Sequence, residues 1–411
     1  MINDIIVQKM HHPRDVSIFI RNLKPFLKED IIDIYFNTHD FYPSACVPIS
    51  GIVDSLKQQG KKIYMHFDKN TYLGNTNFNL PYNVNEHKDS LKYPFAKLWK
   101  FSTNEEVALL VDSFSNELQA LTECSKGLIE GLEWSLNEAM DNVIQHSLTQ
   151  EGYIMGIFHK SSNYLLLTIF DNGQGIFNSF MNSEYTPRNA IDAISLAIQE
   201  GKTRDKKIGQ GNGLWGLYNI VQHNKGRLTI TSHGSALMLK SDGSVNKFEK
   251  LPLLNTHSGT TVIDISFNCK EEVSITEALG GYTPIDINLE NMIDNDSDNI
   301  IFALEEQGVG FGTRQAGERL RNKVINLFER SQYSNKICID FRNVSIISSS
   351  FADEFIGKLI LKYGFYKFNS MVKLINTNST VEAILNRSVC QRMAYMYFDN
   401  EIELSEDENN G

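Results

Sequence analysis

The segment that decides the fold reads Leu136-Asn-Glu-Ala-Met-Asp-Asn-Val-Ile-Gln-His-Ser147. On a helix, Glu138, Asn142 and His146 are each four residues apart and share one face, because an α-helix turns once in about 3.6 residues. A neighbouring apolar stripe can pack on a sheet. It consists of Leu132, Leu136, Ala139 and Val143. A carboxylate and an amide on one ridge are suited to act as a general base and as a ligand of Mg²⁺, which prefers oxygen donors.

A motif with two glycines follows this helix. The stretch Leu165-Leu-Leu-Thr-Ile-Phe-Asp-Asn-Gly-Gln-Gly-Ile176 is an apolar strand that ends in Asp171 and continues with Gly173 and Gly175. A carboxylate fixed at a strand end can accept a hydrogen bond from an exocyclic amine such as that of adenine. The glycines allow the backbone to approach a flat ligand closely. Taken alone, the motif is more typical of a strand followed by a glycine turn.

A second glycine-rich motif, Gly209-Gln-Gly-Asn-Gly-Leu-Trp-Gly-Leu217, leads into another helix. Gly209, Gly211 and Gly213 before a helix start predict a phosphate cradle, in which backbone N–H groups and the positive helix end face the anion. The motif lacks the GK[ST] of a P-loop and the βαβ frame of a dinucleotide-binding turn. Four cations precede it and either neutralise a polyphosphate or belong to a solvated loop. They are Lys202, Arg204, Lys206 and Lys207.

The order of these motifs is more specific than any one of them. Further along, Ser258-Gly-Thr-Thr261 opens a strand, where Thr260 can bond a purine edge directly or through water. An E-x-x-x-N helix, then D-x-G-x-G, then G-x-G-x-G-L, then G-T before a strand, resembles the GHKL superfamily, the ATP-binding fold of gyrase, histidine kinases and MutL. The nearest likeness is to anti-sigma-factor serine kinases and histidine-kinase catalytic domains. The resemblance covers residues 104–267.

This resemblance implies an α/β protein, an α+β sandwich of the GHKL or Bergerat type, that binds ATP and Mg²⁺. It makes Glu138 the candidate base, Asn142 the Mg²⁺ ligand and Asp171 the adenine contact. It assigns His146 mainly a structural role and, as a second possibility, a position near the phosphates. The other candidate nucleotide-binding residues shape the adenine pocket, brace the base or close over the phosphates. They are Gly173, Gly175, Lys202, Arg204, Gly209, Gly211, Gly213, Leu214 and Thr260.

A second resemblance lies near the C-terminus, in residues 336–355, Lys-Ile-Cys-Ile-Asp-Phe-Arg-Asn-Val-Ser-Ile-Ile-Ser-Ser-Ser-Phe-Ala-Asp-Glu-Phe. This stretch resembles the STAS domain of anti-sigma-factor antagonists, and is closer to a STAS-like family of unknown function with the same Ser-Ser-Phe pattern. STAS antagonists carry a phosphorylatable hydroxyl in a D-S-[ST]-G turn. Here Ser348-Ser-Ser-Phe351 has Ser for Asp and Phe for Gly. We therefore interpret the serines as caps of a helix starting at Phe351 in preference to phosphorylation of Ser350.

Composition and linkers predict the domain organisation. The segments are 1–85, an N-terminal α/β domain that shares the strand–turn–helix–strand order of the STAS-like part by descent or by chance; 86–275, the GHKL domain; 276–300, an acidic linker; 301–398, the STAS-like domain; and 399–411, an acidic disordered tail. Within them we predict helices at Ile49–Gln59 and Thr380–Arg387.

A net charge of −11 argues against nucleic acid as the main ligand. No apolar run is long enough for a membrane span. The 5 Cys, none in a CxxC pair, indicate reduced thiols and a cytoplasmic location.

These observations favour an intracellular ATP-binding regulatory switch that hydrolyses Mg-ATP and relays its nucleotide state through STAS-like domains to a regulatory protein partner. One alternative is a protein serine kinase of the anti-sigma type, acting on Ser350 or on a separate partner. Another is a non-catalytic, nucleotide-dependent interaction protein. A sensor histidine kinase is rejected, because His87 lacks the long apolar heptads of a dimerisation helix. A clamp of the gyrase kind is disfavoured by the short acidic stretch after residue 272, and a homodimer is left open.

Overall fold

The computed structural model describes residues 4–38, 41–68, 72–149, 151–181, 185–200, 213–249, 259–282, 287–294 and 297–408. Its contacts divide the chain into two compact units. Unit 1 comprises Met1–Glu117 and Leu128–Thr283, and unit 2 comprises Leu118–Gly127 and Pro284–Gly411. Both units combine helices with sheets, so the predicted mixed α/β class is confirmed.

The N-terminal part of unit 1 is a small parallel sheet with two helices. Its elements are β1 (Asp4–Val7), α1 (Pro13–Leu23), β2 (Ile31–Phe36), α2 (Pro43–Gln58) and β3 (Lys62–His66). The strands lie in the order β1-β2-β3, and each neighbouring pair is parallel. The second helix begins at Pro43, earlier than predicted, because proline suits the first helical turn, where its missing N–H would have no partner.

The rest of unit 1 is built on a larger sheet, which has eight strands in the described residues. They are β4 (Tyr82–Asn83), β5 (Trp99–Phe101), β6 (Gly152–His159), β7 (Tyr164–Asp171), β8 (Arg227–Ser232), β9 (Ser235–Leu239), β10 (Val245–Phe248) and β11 (Thr261–Asn268). Their order is β10-β9-β8-β11-β7-β6-β5-β4. All neighbours are antiparallel except β4 and β5. The centre of the sheet is therefore β11 between β7 and β8.

Helices cover both faces of this sheet. The helices of this part are α3 (Asn104–Leu121), whose last turn belongs to unit 2, α4 (Leu128–His146), α5 (Gly175–Phe180), α6 (Ala190–Ala197), α7 (Gly213–His223) and α8 (Ile275–Ala278). A Cβ on Gly156 of β6 would lie 2.9 Å from both Leu167 of β7 and Phe114 of α3. A Cβ on Gly51 of α2 would lie 2.5 Å from the ring of Phe170. Because Leu167 and Phe170 point to opposite faces of β7, α3 and α2 pack on opposite sides of the sheet.

Unit 2 contains a second small parallel sheet, with the strand order β12-β13-β14 in the described residues. Its elements are α9 (Ile287–Glu290), β12 (Ile300–Ala303), α10 (Arg314–Arg330), β13 (Ile337–Asp340), α11 (Ser349–Ala352), a π-helical turn (Asp353–Gly357), α12 (Lys358–Tyr363), α13 (Phe365–Met371), β14 (Val372–Ile375) and α14 (Ser379–Glu408). The order strand, helix, strand, helix, strand, with parallel neighbours, is the same as in β1 to β3.

The last helix is much longer than predicted. It begins at Ser379 and runs to Glu408, so it passes both the predicted end at Arg387 and the stretch from Asp399 that we predicted as a disordered tail. Residues 388–408 include four Glu, two Met, one Leu and one Ala, all of which have high helix propensity. The negative charge on which the tail prediction rested does not outweigh that propensity.

Candidate functional site

Asp171 closes β7 and is fixed by both neighbouring strands. It lies opposite Gly152 of β6 and Thr261 of β11. One carboxylate oxygen accepts the backbone N–H of Gly173 at 2.9 Å, and the hydroxyl of Thr261 donates to the same carboxylate. Burial nevertheless raises the pKa of Asp171 to about 7, because these two hydrogen bonds lower it by less than burial raises it. A buried carboxyl at a strand end is suited to pair with a donor on a ligand.

Two glycine positions at the turn after Asp171 are packed too tightly to accommodate a side chain. A Cβ on Gly173 would lie 2.2 Å from the carbonyl oxygen of Ser147, and a Cβ on Gly259 would lie 1.7 Å from that of Gln174. Real Cβ atoms do not approach other atoms so closely, so both positions require glycine. Gly259, the glycine of the G-T pair before β11, is therefore required for close packing against this turn. The sequence alone does not indicate this role.

This turn is also tied to the C-terminal end of α4. The backbone N–H of Gln174 donates to the carbonyl of Ser147 at 2.9 Å, and its side-chain amide donates to the carbonyl of His146 at 2.7 Å. Gly175, which begins α5, has a φ of +71°, a left-handed conformation that favours glycine. The structural role predicted for His146 thus falls on its backbone carbonyl.

Glu138, Asn142 and the start of α7 meet at one point. A Cβ on Gly213, the first residue of α7, would lie 2.5 Å from Oε2 of Glu138 and 3.4 Å from Nδ2 of Asn142. Further along the same pair of helices, a Cβ on Gly216 would lie 2.2 Å from the Trp134 ring of α4. Two glycines on one face of α7 therefore allow that helix to lie directly against α4, with its N-terminal end at the carboxylate.

The surroundings of Glu138 raise the pKa of its carboxyl. Burial raises the pKa of Glu138 first, and the neighbouring charge of Asp141 raises it further. Burial also raises the pKa of Asp141. A carboxyl whose pKa is raised toward neutrality is a better general base than one at its ordinary value, provided that it is ionised at the working pH. Asp141 is a second residue that the sequence analysis did not single out.

The described residues contain no group of three or more His, Cys, Asp and Glu side chains that could hold a metal ion. The predicted Mg²⁺ ligand is instead an amide. The Nδ2 of Asn142 donates to the backbone carbonyl of Glu138 at 2.7 Å, which directs the hydrogen-bond donors of this amide into its own helix. The side-chain oxygen of Asn142 is left to accept a hard cation. In sites of this kind, water and phosphate oxygens fill the remaining coordination positions of the cation. The amide oxygen of Asn142 is therefore a donor of the kind that Mg²⁺ prefers.

The remaining predicted residues divide into described and undescribed ones. Thr260 is buried next to Thr261, and Leu214 is half-buried on α7. Gly173, Gly175, Gly213 and Asp171 lie as given above. Four predicted residues lie outside the described part of the chain, namely Lys202, Arg204, Gly209 and Gly211.

The serine run of unit 2 forms a helix cap, as predicted. Ser348 is the N-cap of α11, and its Oγ accepts the backbone N–H of Phe351 at 3.0 Å. The hydroxyl of Ser350 lies 3.0 Å from that of Ser348 and shares a hydrogen bond with it. These serines therefore satisfy backbone and hydroxyl groups at the helix start.

Comparison with known proteins bears on unit 2 alone. The model of a family described as a STAS-like domain of unknown function matches residues 316–382. This matches the C-terminal STAS-like resemblance. A search of curated proteins finds no match to the chain. In the described residues, every helix is too short or too polar to cross a bilayer.

Proposed function

We propose that residues 86–275 bind Mg-ATP in a GHKL-type α+β sandwich and that the chain is an ATP-dependent regulatory switch. One observation carries the proposal: α4 bears Glu138 and Asn142 in its middle, and its C-terminal end is hydrogen-bonded to the turn that follows Asp171. With a rise of about 1.5 Å per residue, the Cα atoms of Glu138 and His146 are about 12 Å apart along the helix. A long ligand with a donor-bearing ring at one end and phosphates at the other would match this arrangement.

The ring of the nucleotide would be recognised at Asp171. Its exocyclic amine would donate to the carboxylate, beside the closely packed turn that contains Gly173 and Gly175. The triphosphate would extend toward the start of α7, whose N-terminal end carries a partial positive charge. Bound Mg²⁺ would neutralise phosphate charge, and Asn142 would hold it through its side-chain oxygen. Lys202 and Arg204 remain candidates for contacts with the phosphates.

Glu138 is proposed as the general base. It would take a proton from a water molecule or from a serine hydroxyl as that oxygen forms a bond to the γ-phosphorus and the bond to the β-phosphate oxygen breaks. The released ADP is the leaving group in both cases, and only the acceptor differs. With water, the protein is an ATPase; with a serine, it is a protein kinase of the anti-sigma type.

The experiment that tests the proposal combines three measurements on the full chain: ATP affinity by calorimetry, release of phosphate, and mass spectrometry for phosphoserine. Wild-type protein should bind Mg-ATP more tightly than ATP without Mg²⁺, and Asn142→Ala should remove that difference. Glu138→Ala should keep binding but lose turnover by about 10²-fold or more. If wild-type protein binds no ATP, the proposal fails. Binding with neither phosphate release nor phosphoserine would favour a nucleotide-dependent interaction protein.

The regulatory part of the proposal is supported by the STAS-like match. STAS domains of anti-sigma-factor antagonists, to which 336–355 is similar, carry a phosphorylatable hydroxyl in a D-S-[ST]-G turn. A chain that joins such a domain to an ATP site is suited to report nucleotide state to a protein partner. The observation to seek is a difference in proteolytic protection of residues 301–398 between ATP-bound and ATP-free protein, because identical protection would argue against a relay.

A further inference from the structure

Unit 1 contains a cavity on the opposite face of the large sheet from α3. Its volume is about 530 Å³, within the range of pockets that hold small organic ligands. The N-terminal ends of α1 and α2 contribute one wall, and β7, β8, β9 and β11 form the floor. None of its lining residues belongs to the site around Glu138 and Asp171.

The floor of this cavity carries a polar row, with Leu166 and Met238 beside it, where the neighbouring part of the same sheet face is apolar. Thr168 of β7, Asp264 of β11 and Thr229 of β8 lie side by side in register. The next row on the same face is apolar: Phe170 lies two residues after Thr168 on β7, and Val262 lies two residues before Asp264 on β11. Both are buried in the apolar core under α2. A polar row beside a buried apolar one is not needed to pack the two layers together, so it is suited to a ligand.

Asp264 is the central group of this row. Its carboxylate accepts the hydroxyl of Thr168 at 2.6 Å, and burial raises the pKa of Asp264 to about 7. No cation of the described residues forms an ion pair with it. A carboxyl held in such surroundings is costly for the fold and is typical of functional sites, where a ligand supplies the missing donor.

Positive groups lie at the other end of the cavity. Arg227 and Lys240 line it, together with Asp242, whose carboxylate interacts electrostatically with Lys240. Ser44, in the first turn of α2, also lines it, and this helix has no side-chain cap at its N-terminal end. Arg227 lies opposite Ser266, and Ser266 is two residues along β11 from Asp264. The Cα atoms of Asp264 and Arg227 are therefore diagonal neighbours about 7 Å apart.

We propose that this cavity binds an organic anion of mononucleotide size, whose ring carries an exocyclic amine and whose anionic group is a phosphate. The amine donates to Asp264, and the phosphate pairs with Arg227 and Lys240. Tyr42, which lines the rim and is 41% exposed, offers a ring face to the ligand body. The site is separate from the proposed ATP site and does not depend on it.

The test uses CMP and GMP, two mononucleotides with an exocyclic amine, and measures their binding to the full chain by calorimetry. At least one should bind, and Arg227→Gln should weaken it by about tenfold or more, as expected for loss of a charge-assisted hydrogen bond. Arg21→Gln, a matched change on the exposed side of α1, should leave binding unaltered. Asp171→Asn should also leave it unaltered, which separates this site from the proposed ATP site.

Ribose 5-phosphate is the probe that isolates the ring. It carries the phosphate without the amine, so it should bind more weakly than the mononucleotide. Equal affinity of the two would overturn the role of Asp264, and equal affinity of wild type and Arg227→Gln would overturn the role of the cations. No binding of CMP or GMP to the wild-type chain would overturn the proposal as a whole.

Discussion

The carboxylate of Glu138 occupies the space that a side chain on Gly213 would take, because a Cβ there would lie 2.5 Å from Oε2. The glycine at the start of α7 and the acid in the middle of α4 are thus coupled by packing. In the sequence they belong to separate motifs, and a side chain at position 213 would require the Glu138 carboxylate or the start of α7 to move.

Gly213→Ala should therefore impair turnover more than nucleotide binding. The added methyl group must displace either the Glu138 side chain or the start of α7, while the surroundings of Asp171 stay intact. We expect phosphate release to fall by about tenfold or more, on the scale of a misplaced catalytic base. Gly312→Ala is the matched control, because a Cβ on Gly312 would have no atom within 4 Å. Equal rates for the two variants would show that the Glu138 position tolerates the methyl group.

Asp171→Asn should stabilise the nucleotide-free protein at neutral pH while abolishing ATP binding. The pKa of Asp171 is raised from 3.8 to about 7, so the folded state keeps a proton that the unfolded chain loses above about pH 4. The stability supplied by this group is complete below pH 3.8 and declines as the pH rises toward 7. Asparagine does not ionise, and its oxygen can still accept the N–H of Gly173.

The measurement is thermal unfolding of both proteins at pH 4 and pH 8. The variant should gain stability relative to wild type at pH 8, by up to a few kcal/mol at about 1.4 kcal/mol per pKa unit, and little at pH 4. Asp242→Asn is the control with the opposite sign, because hydrogen bonds from Ser244 lower the pKa of the exposed Asp242. A difference between Asp171→Asn and wild type that does not change with pH would contradict the assignment.

The strands and helices with clear periodicity could be predicted from sequence. The end of β7 at Asp171 agrees with the prediction, because an apolar run defines the strand. The elements β1 and β5 were not predicted, since four residues or fewer give too short a pattern, and their pairing partners supply the stability. The full length of α14 is not predicted, because the negative charge of its last part favours a disordered tail although its helix propensity is high.

The candidate site could be predicted in its residue types and not in its packing. The i, i+4 spacing of Glu138 and Asn142 is a local property of one helix, so the sequence carries it. The contact of Gly259 with Gln174 joins positions that are distant in sequence, and nothing in a single sequence signals it. Asp141 influences Glu138 through space and burial, which likewise depend on the folded environment.

Asp141→Asn should shift the pH dependence of turnover without removing it. Glu138 must be ionised to act as a base, so the rate should fall as the pH drops through its pKa. The charge of Asp141 is the second cause that raises this pKa, after burial. Its removal should move the acidic limb of the kcat profile to lower pH. Asp89→Asn, an exposed change elsewhere in unit 1, should leave the profile in place, and an unmoved limb in Asp141→Asn would exclude coupling between the two acids.

Asn326→Ala should loosen the segment 118–127, which belongs to unit 2 although it connects α3 and α4. The buried Asn326 of α10 donates to the carbonyls of Gln119 and Thr122 at 3.0 and 2.9 Å, and it accepts the N–H of Cys124 at 2.7 Å. Alanine leaves these three backbone groups without that partner. Each buried unsatisfied group costs about 1–3 kcal/mol, so we expect a loss of several kcal/mol in the unfolding free energy of unit 2.

Hydrogen exchange is the direct measurement, because the amide of Cys124 has Asn326 as its acceptor. In Asn326→Ala this amide should exchange faster, while amides in β13 should lose protection only as far as unit 2 as a whole is destabilised. Asn335→Ala is the matched control, since Asn335 makes one hydrogen bond on the surface, to the carbonyl of Asp298. Unchanged exchange at Cys124 in Asn326→Ala would mean that other contacts hold the segment. Faster exchange there than in β13 would establish Asn326 as the residue that fixes it to α10.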